Sequence, residues 1–328
     1  MATIGGRLID QGNSGCIFTP ALHCKYKKHD QKPIKGEQIV TKLIHKDDAN
    51  QEYTISMIIR EIPLWRNYFS VALSMCVPST KQTEKDLSEC KPLDKAPIST
   101  FRILPVPYAG LQIFRYKFSA KTFDMMNFFT HLIGAGALLA LFGVVHTDLH
   151  MGNILVDHHG IPRIIDFNLA IIKEKVTINR IEHAYGVIWS QESPDATLIN
   201  AIAHGYTPSN AIPSIILKKP IMKKIRSMLS ITNETMIEQL EQFAATSASI
   251  TSGNVLGWFK NYWCKIDSWA IGVIIVYLLS SFSVMSEFTP MIMKHKPRLI
   301  PLLRRMCAIN PIQRIDCVQA LYYLQPDH

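Results

Sequence analysis

The sequence predicts an α+β fold, a small strand-rich part followed by a larger, mainly helical one. Three observations carry that expectation. The first hundred residues hold short β-branched runs broken by glycine and proline, "GRLIDQGNSGCIFTP" and "GEQIVTKLIHK" among them. From Lys121 onward the apolar spacing turns helical, apart from a turn-and-strand interval at 144–170. A chain of 328 residues, 48% hydrophobic and 19% charged, is also long enough for two lobes with a core each and too apolar to be disordered. The expected division is 1–110 and 111–328.

The elements follow in order. Two short strands are expected around the glycine turn at 10–17, and a β-branched strand at "IVTKLI". A helix should run from Asp48, a fair N-cap, to about Ile62, where Pro63 stops it. The polar stretch Ser79–Thr100 reads as a surface loop, and "FRILPVPYAGLQIF" as a strand leading into a Pro/Gly connector. The apolar runs "LIGAGALLALFGVV" and "WAIGVIIVYLL" are shorter than the roughly 18–20 residues of a spanning helix. Both read as buried core helices, so no membrane span is expected. Residues 196–262 contain a helix-like "NETMIEQLEQFAA" and a basic run of Lys218, Lys219, Lys223, Lys224 and Arg226. The simplest reading of that run is the solvated face of a helix. The rival is a contact for an acidic substrate or nucleic acid.

The formal charge of +9 favours acidic partners: phosphorylated ligands, nucleic acid, an anionic surface or acidic protein. Seven cysteines lie scattered without a CxxC pair or a finger spacing, which predicts free thiols, a reducing intracellular compartment and no structural zinc. The first residues, "MATIGGRLIDQG", lack the basic and apolar regions of a signal peptide.

The richest stretch is "VVHTDLHMGNILVDHHGIPRIIDFNLA", Val144 to Ala170. Asp148 and Asn153 fall in a loop between a buried helix and the strand "NILVD", and Asp166 follows a second strand, "PRIID". A hairpin could return Asp166 beside Asn153. A carboxylate and an amide oxygen there would suit Mg²⁺ carrying phosphate oxygens, with Asp148 left to deprotonate a hydroxyl. The rival is a metal pair, His146 and His150, at i, i+4; the Gly, Asn and strand residues that follow argue against the helix it needs.

At this point the sequence resembles a known family. "HTDLHMGN" followed by "DFN" is similar to the catalytic loop and magnesium-binding motif of protein kinases, with Asp148 and Asp166 at the family's separation. The other kinase elements occur in order. "DQGNSGCI" resembles the glycine-rich phosphate loop, with Gly12 and Gly15 at its second and third glycines. "IVTKLI" resembles the strand whose lysine, here Lys42, anchors phosphate. Glu52, in line with Ile55, Ile59 and Ile62, is the expected partner of that lysine, and Glu61 the alternative at the helix end. "DSWAIGVIIVYLL" resembles the central helix of the large lobe, whose Asp267 would accept backbone hydrogen bonds from the catalytic loop. "INPIQRI" supplies Arg314, expected to pair with Asp195 of "SPD". Within the superfamily, "GNSGCIFTPALHC" and the short spacing from Lys42 to "EYTIS" look most like the divergent serine/threonine kinases of large DNA viruses. That likeness implies host cytoplasm or virion as the location.

The resemblance implies a bilobal kinase using ATP with Mg²⁺ or Mn²⁺ and a protein substrate, acidic if the net charge is a guide, with nucleic acid not required. Gly12, Asn13, Ser14, Gly15, Ile17 and Lys42 would hold ATP, Asn153 and Asp166 the metal, and Asp148, Lys42, Glu52 and His150 the catalytic roles. The chain departs from the family at several points. The interval from Asp195 to Asp267 is longer than the family's, so residues 196–262 read as an insertion in the large lobe. Asp10 replaces the first loop glycine, Thr147 the arginine before the catalytic aspartate, and Asn168 the glycine of the magnesium motif. His150 sits where serine/threonine kinases carry a lysine, a pattern shared with small-molecule phosphotransferases. A small-molecule kinase and a nucleotide-binding pseudokinase are therefore the alternatives.

Overall fold

The computed structural model describes residues 6–12, 15–26, 33–79, 82, 87–182 and 186–325. The chain divides into two compact units. One is Met1–Gly110 with Arg163–Leu169, and the other is Leu111–Pro162 with Ala170–His328. The architecture is α+β, with an antiparallel sheet in the first unit and helices dominating the second.

The first unit is built on four antiparallel strands in sequential order, β1 (Arg7–Gln11), β2 (Gly15–Thr19), β3 (Ile39–His45) and β4 (Phe101–Pro107). Strand β3 is central and buried on both faces. Its side chains alternate: Leu43 joins Cys16, Phe18, Phe101 and Ile103 on one side, while Ile44 joins Ala49, Ala72 and Leu104 on the other. Lys42 shares the Ile44 side, toward the helix α1 (Lys46–Ile59). That helix starts two residues earlier than the sequence suggests, and Asp48 lies in its first turn instead of capping it. Asp47 and Asp48 there favour the helix dipole. Its buried face comprises Ala49, Glu52, Ile55, Ser56 and Ile59, one glutamate within an otherwise small and apolar stripe.

Two disulfides, Cys16–Cys90 and Cys24–Cys76, tie this unit together. They correct the expectation of free thiols and do not fit a reducing compartment; only Cys264, Cys307 and Cys317 are free among the described residues. The spacing argument failed because these bridges join cysteines 74 and 52 residues apart, so no short motif marks them. For the same reason Ser79–Thr100 is not simply surface. Cys90 within it is fully buried.

In the second unit, the short strand β5 (Leu111–Gln112) precedes helix α2 (Met125–Leu141), whose N-cap Asp124 accepts from the Asn127 amide. The helix is apolar all round and buried, as such a pattern requires. Gly143, at φ 67°, turns the chain into β6 (Val144–Val145). Strand β7 (Ile154–Val156) pairs with β5, and β8 (Pro162–Ile164) carries the chain out into the first unit. The chain returns at β9 (Ile171–Ile172), which pairs antiparallel with β6.

The long interval from 196 is helical: α3 (Pro194–Ala203), α4 (Pro208–Lys218), α5 (Pro220–Leu229) and α6 (Asn233–Thr246). Then comes α7 (Val255–Phe282), 28 residues long and capped by Asn254. The run Trp269–Leu279 is thus only the most apolar part of a longer helix, whose N-terminal half carries the exposed Lys260 and Asn261. By length and composition α7 could cross a membrane, which corrects the reading from run length. However, 78% of its most apolar window is buried inside the fold, as in a core helix. Helices α8 (Thr289–Met306) and α9 (Cys317–Leu324) complete the unit, the latter starting with an Asp316–Gln319 capping box.

Candidate functional site

The first unit gathers Lys42, Glu52 and Asp166. Strand alternation aims Lys42 at α1, and the helical stripe aims Glu52 back at it. The Lys42 Nζ donates to Glu52 Oε2 and to Asp166 Oδ1, both at 2.7 Å. Burial alone would lower the lysine pKa, but the Glu52 and Asp166 carboxylates more than reverse that and raise it, so the ammonium stays charged. Burial lifts the Glu52 carboxyl above its ordinary value, with Lys42 pulling the other way. One cation thus faces two carboxylates. Glu61, the alternative partner, is exposed beyond the helix end.

Asp166 is held by the segment around it. Ser70 donates its amide to the Ile164 carbonyl, Arg163 Nε donates to the Arg66 carbonyl, and Phe167 packs edge-on against Phe69. The Gln51 side chain donates to the Asn168 carbonyl. Asp166 itself sits at φ 65°, a left-handed conformation uncommon outside glycine. Asn168 is not among the positive-φ residues. The left-handed position falls two residues earlier, at Asp166, so Asn168 in place of glycine meets no such demand.

The glycine-rich turn is a hairpin in which the Gly12 amide donates to the Gly15 carbonyl at 2.9 Å. A Cβ on Gly15 would run into Ile44 and the Leu43 carbonyl, whereas one on Gly12 would meet nothing. Ile17 lies directly across the ladder from Lys42. Asn13 and Ser14 lie outside the described residues.

The second unit gathers His146, Asp148, His150, Asn153 and a residue that carried no sequence signal, Gln191. Asp267 on α7 accepts the His146 amide at 2.8 Å and the Thr147 amide at 3.2 Å, the expected support of this loop. Burial raises the Asp267 pKa, while His146 and the two amides pull it down. Thr147, at φ 65°, is a β-branched residue in the left-handed region, where strain of order 1–3 kcal/mol marks functional loops. Asn153 donates Nδ2 to the Asp148 carbonyl at 3.0 Å. Gln191 donates Nε2 to Asp148 Oδ1 at 3.0 Å, and His150 Nε2 lies 3.7 Å from Oδ2, beyond hydrogen-bond range.

His146 is fully buried, whereas His150 is half exposed and accepts the Gly152 amide on Nδ1. The two do not share a helix. Among the described residues no group of three His, Cys, Asp or Glu side chains is placed to hold a metal. Arg314 and Asp195 form a sealed pair, Nη2 to Oδ1 at 2.7 Å, with Trp258 Nε1 on the second carboxylate oxygen.

Compared with known proteins, the chain matches no protein-family model and no curated sequence.

Proposed function

We propose that the chain is an ATP-dependent protein kinase of the bilobal type, the first unit serving as its small lobe and the second as its large lobe, transferring the γ-phosphate to serine or threonine hydroxyls. The observation that carries the reading is the Lys42 ammonium shared between Glu52 and Asp166. A lysine spent only on stability would be served by one carboxylate. The second is Asp166, whose side chain is 32% exposed and can reach a ligand while it shares the lysine. A nucleotide carrying Mg²⁺ would use both groups, the carboxylate for the ion and the ammonium for the phosphates.

In this reading Lys42, oriented by Glu52, draws the α- and β-phosphates into place, and the backbone at Gly12 and Gly15 covers them. By the resemblance, Asp166 of the first unit and Asn153 of the second would be the ligands of Mg²⁺, or of Mn²⁺ in its place; each carries a hard oxygen, and Asn153's nitrogen already donates within its own loop. Such an ion would neutralise charge that develops on the transferred group. Asp148 orients the attacking hydroxyl and accepts its proton; Asp267 and Gln191 fix where it does so. His146 and Phe167 are packing supports. The likeness to viral kinases remains part of this proposal.

The test is phosphate transfer from labelled ATP, with Mg²⁺ or Mn²⁺, to a panel of acidic and basic proteins. Asp148→Asn should reduce it about a hundred- to ten-thousandfold while ATP still binds. Transfer only to small alcohols or amino sugars, or ATP binding without turnover, would overturn the protein-kinase reading.

A further inference from the structure

Lys219 does not behave as part of a solvated basic face. Lys218 and Lys223 beside it are exposed, but Lys219 is 2% exposed. It forms the elbow between α4 and α5, at φ −64° and ψ 124°, with Pro220 opening the next helix. Its amide donates to the Ile215 carbonyl and its carbonyl accepts from Met222, so the backbone is fixed from both sides. Ile215, Ile216, Ile221 and Met222 around it are fully buried. A methionine would fill such a site without the penalty of burying an ammonium. That penalty is visible, since burial pulls the Lys219 pKa down to about 8 against the attraction of Glu192 and Asp195. The ammonium's partner is the Trp189 carbonyl, to which Nζ donates at 2.7 Å.

That contact begins a row of anchors. Trp269 Nε1 donates to the Ser190 carbonyl at 3.1 Å, and the Ser190 hydroxyl meets the Tyr277 hydroxyl at 3.1 Å. The next residue, Gln191, donates to Asp148. Three consecutive residues are thus tied, the first to the α4–α5 elbow, the second to α7 and the third to the candidate catalytic carboxylate. A carboxylate that receives a hydroxyl proton must present one oxygen in a fixed direction, and small displacements are costly. Gln191 occupies Oδ1 and leaves Oδ2 on the His150 side.

We infer that Lys219 is a positioning residue, fixing Trp189–Gln191 so that Gln191 holds Asp148, which makes the α4–α5 elbow a brace of the site and not a docking surface. The inference rests on the phosphate-transfer reading, and its test separates the two. Lys219→Met, Gln191→Ala and the double variant of the full chain would be assayed for kcat and for KM of ATP. Hydrogen exchange would be followed over residues 187–193.

Both single variants should lower kcat about ten- to a hundredfold with KM of ATP within about twofold. The double variant should be no worse than the poorer single, because both act through one contact. Exchange should quicken in Lys219→Met and stay unchanged in Gln191→Ala. Unchanged exchange in Lys219→Met, an unchanged kcat, multiplying losses, or a rise in kcat for Gln191→Ala would each overturn the inference. If the unsubstituted chain transfers no phosphate, the kinase reading falls, and with it the catalytic role given to Lys219; quickened exchange in Lys219→Met would then show that the brace exists and is purely structural.

Discussion

Lys42 in the first unit and Arg314 in the second are both buried cations 2.7 Å from a carboxylate, yet they are arranged oppositely. The Arg314–Asp195 pair is sealed, with side chains 0% and 1% exposed, one charge against one charge. Its remaining hydrogen bonds go to the Ala308 and Ile309 carbonyls and to Trp258. Lys42 faces two carboxylates, the outer of them partly open to solvent. A balanced, enclosed pair can only hold parts together, and a buried pair of that kind often adds little over an apolar substitute. An unbalanced, open cluster carries charge that a ligand can complete. The difference teaches which of two similar ion pairs to suspect of chemistry.

The sharpest way to break this contrast is to remove each cation. Arg314→Ala should lower unfolding stability by about 3–5 kcal/mol in urea denaturation, since it strands a buried Asp195. Lys42→Met should reduce phosphate transfer at least about a hundredfold while destabilising less, because Glu52, its carboxyl already raised by burial, can take up a proton. Equal stability losses, with activity kept in Lys42→Met, would sink the distinction.

A second comparison sets the units' staples against each other. The disulfides lie in the first unit, so reduction should destabilise that unit by about 2–4 kcal/mol per bond. Hydrogen exchange with and without reductant should show the loss in β1–β4 and not in α7. Loss spread evenly over both units would contradict it.

The third prediction concerns Lys219. Its folded pKa, about 8, lies below the ordinary 10.5, so between those values the unfolded chain holds the extra proton. Stability therefore rises with pH across that window, and the full penalty is present below it. Relative to Lys219→Met, the chain should gain about 3 kcal/mol between pH 8 and 10.5. A difference independent of pH would show that folding leaves Lys219 at its ordinary pKa.

Much of the first unit was legible because its signals are local and periodic. The strand and the helix were legible from β-branching and from the phase of Glu52 with Ile55 and Ile59; that Lys42 and Glu52 meet was an expectation of the resemblance, since a lone strand lysine reads first as solvated. Asp267 and Arg314 were reached only through resemblance, since nothing in a long apolar helix says what its one aspartate supports. Gln191 was invisible. A glutamine in a loop has no periodicity, and its role depends on a contact 43 residues away. Lys219 was misread because a run of lysines looks like a solvated face. The available signal was its apolar flanks, "SIILK" before and "PIM" after, which bury the elbow between two helices. The disulfides were missed because cysteine arithmetic recognises short spacings, and these span 74 and 52 residues.

The assignment of Arg163–Leu169 to the first unit has a consequence for how the molecule comes into being. During synthesis, everything up to Gly110 can leave the ribosome and form its sheet, but Lys42 then has only Glu52. Its second carboxylate arrives only after residues 111–162 of the other unit have been made. A gene fragment ending at Gly110 would encode the sheet without the residue that unbalances its charge. The first unit is complete only when its last seven residues, Arg163–Leu169, have been made.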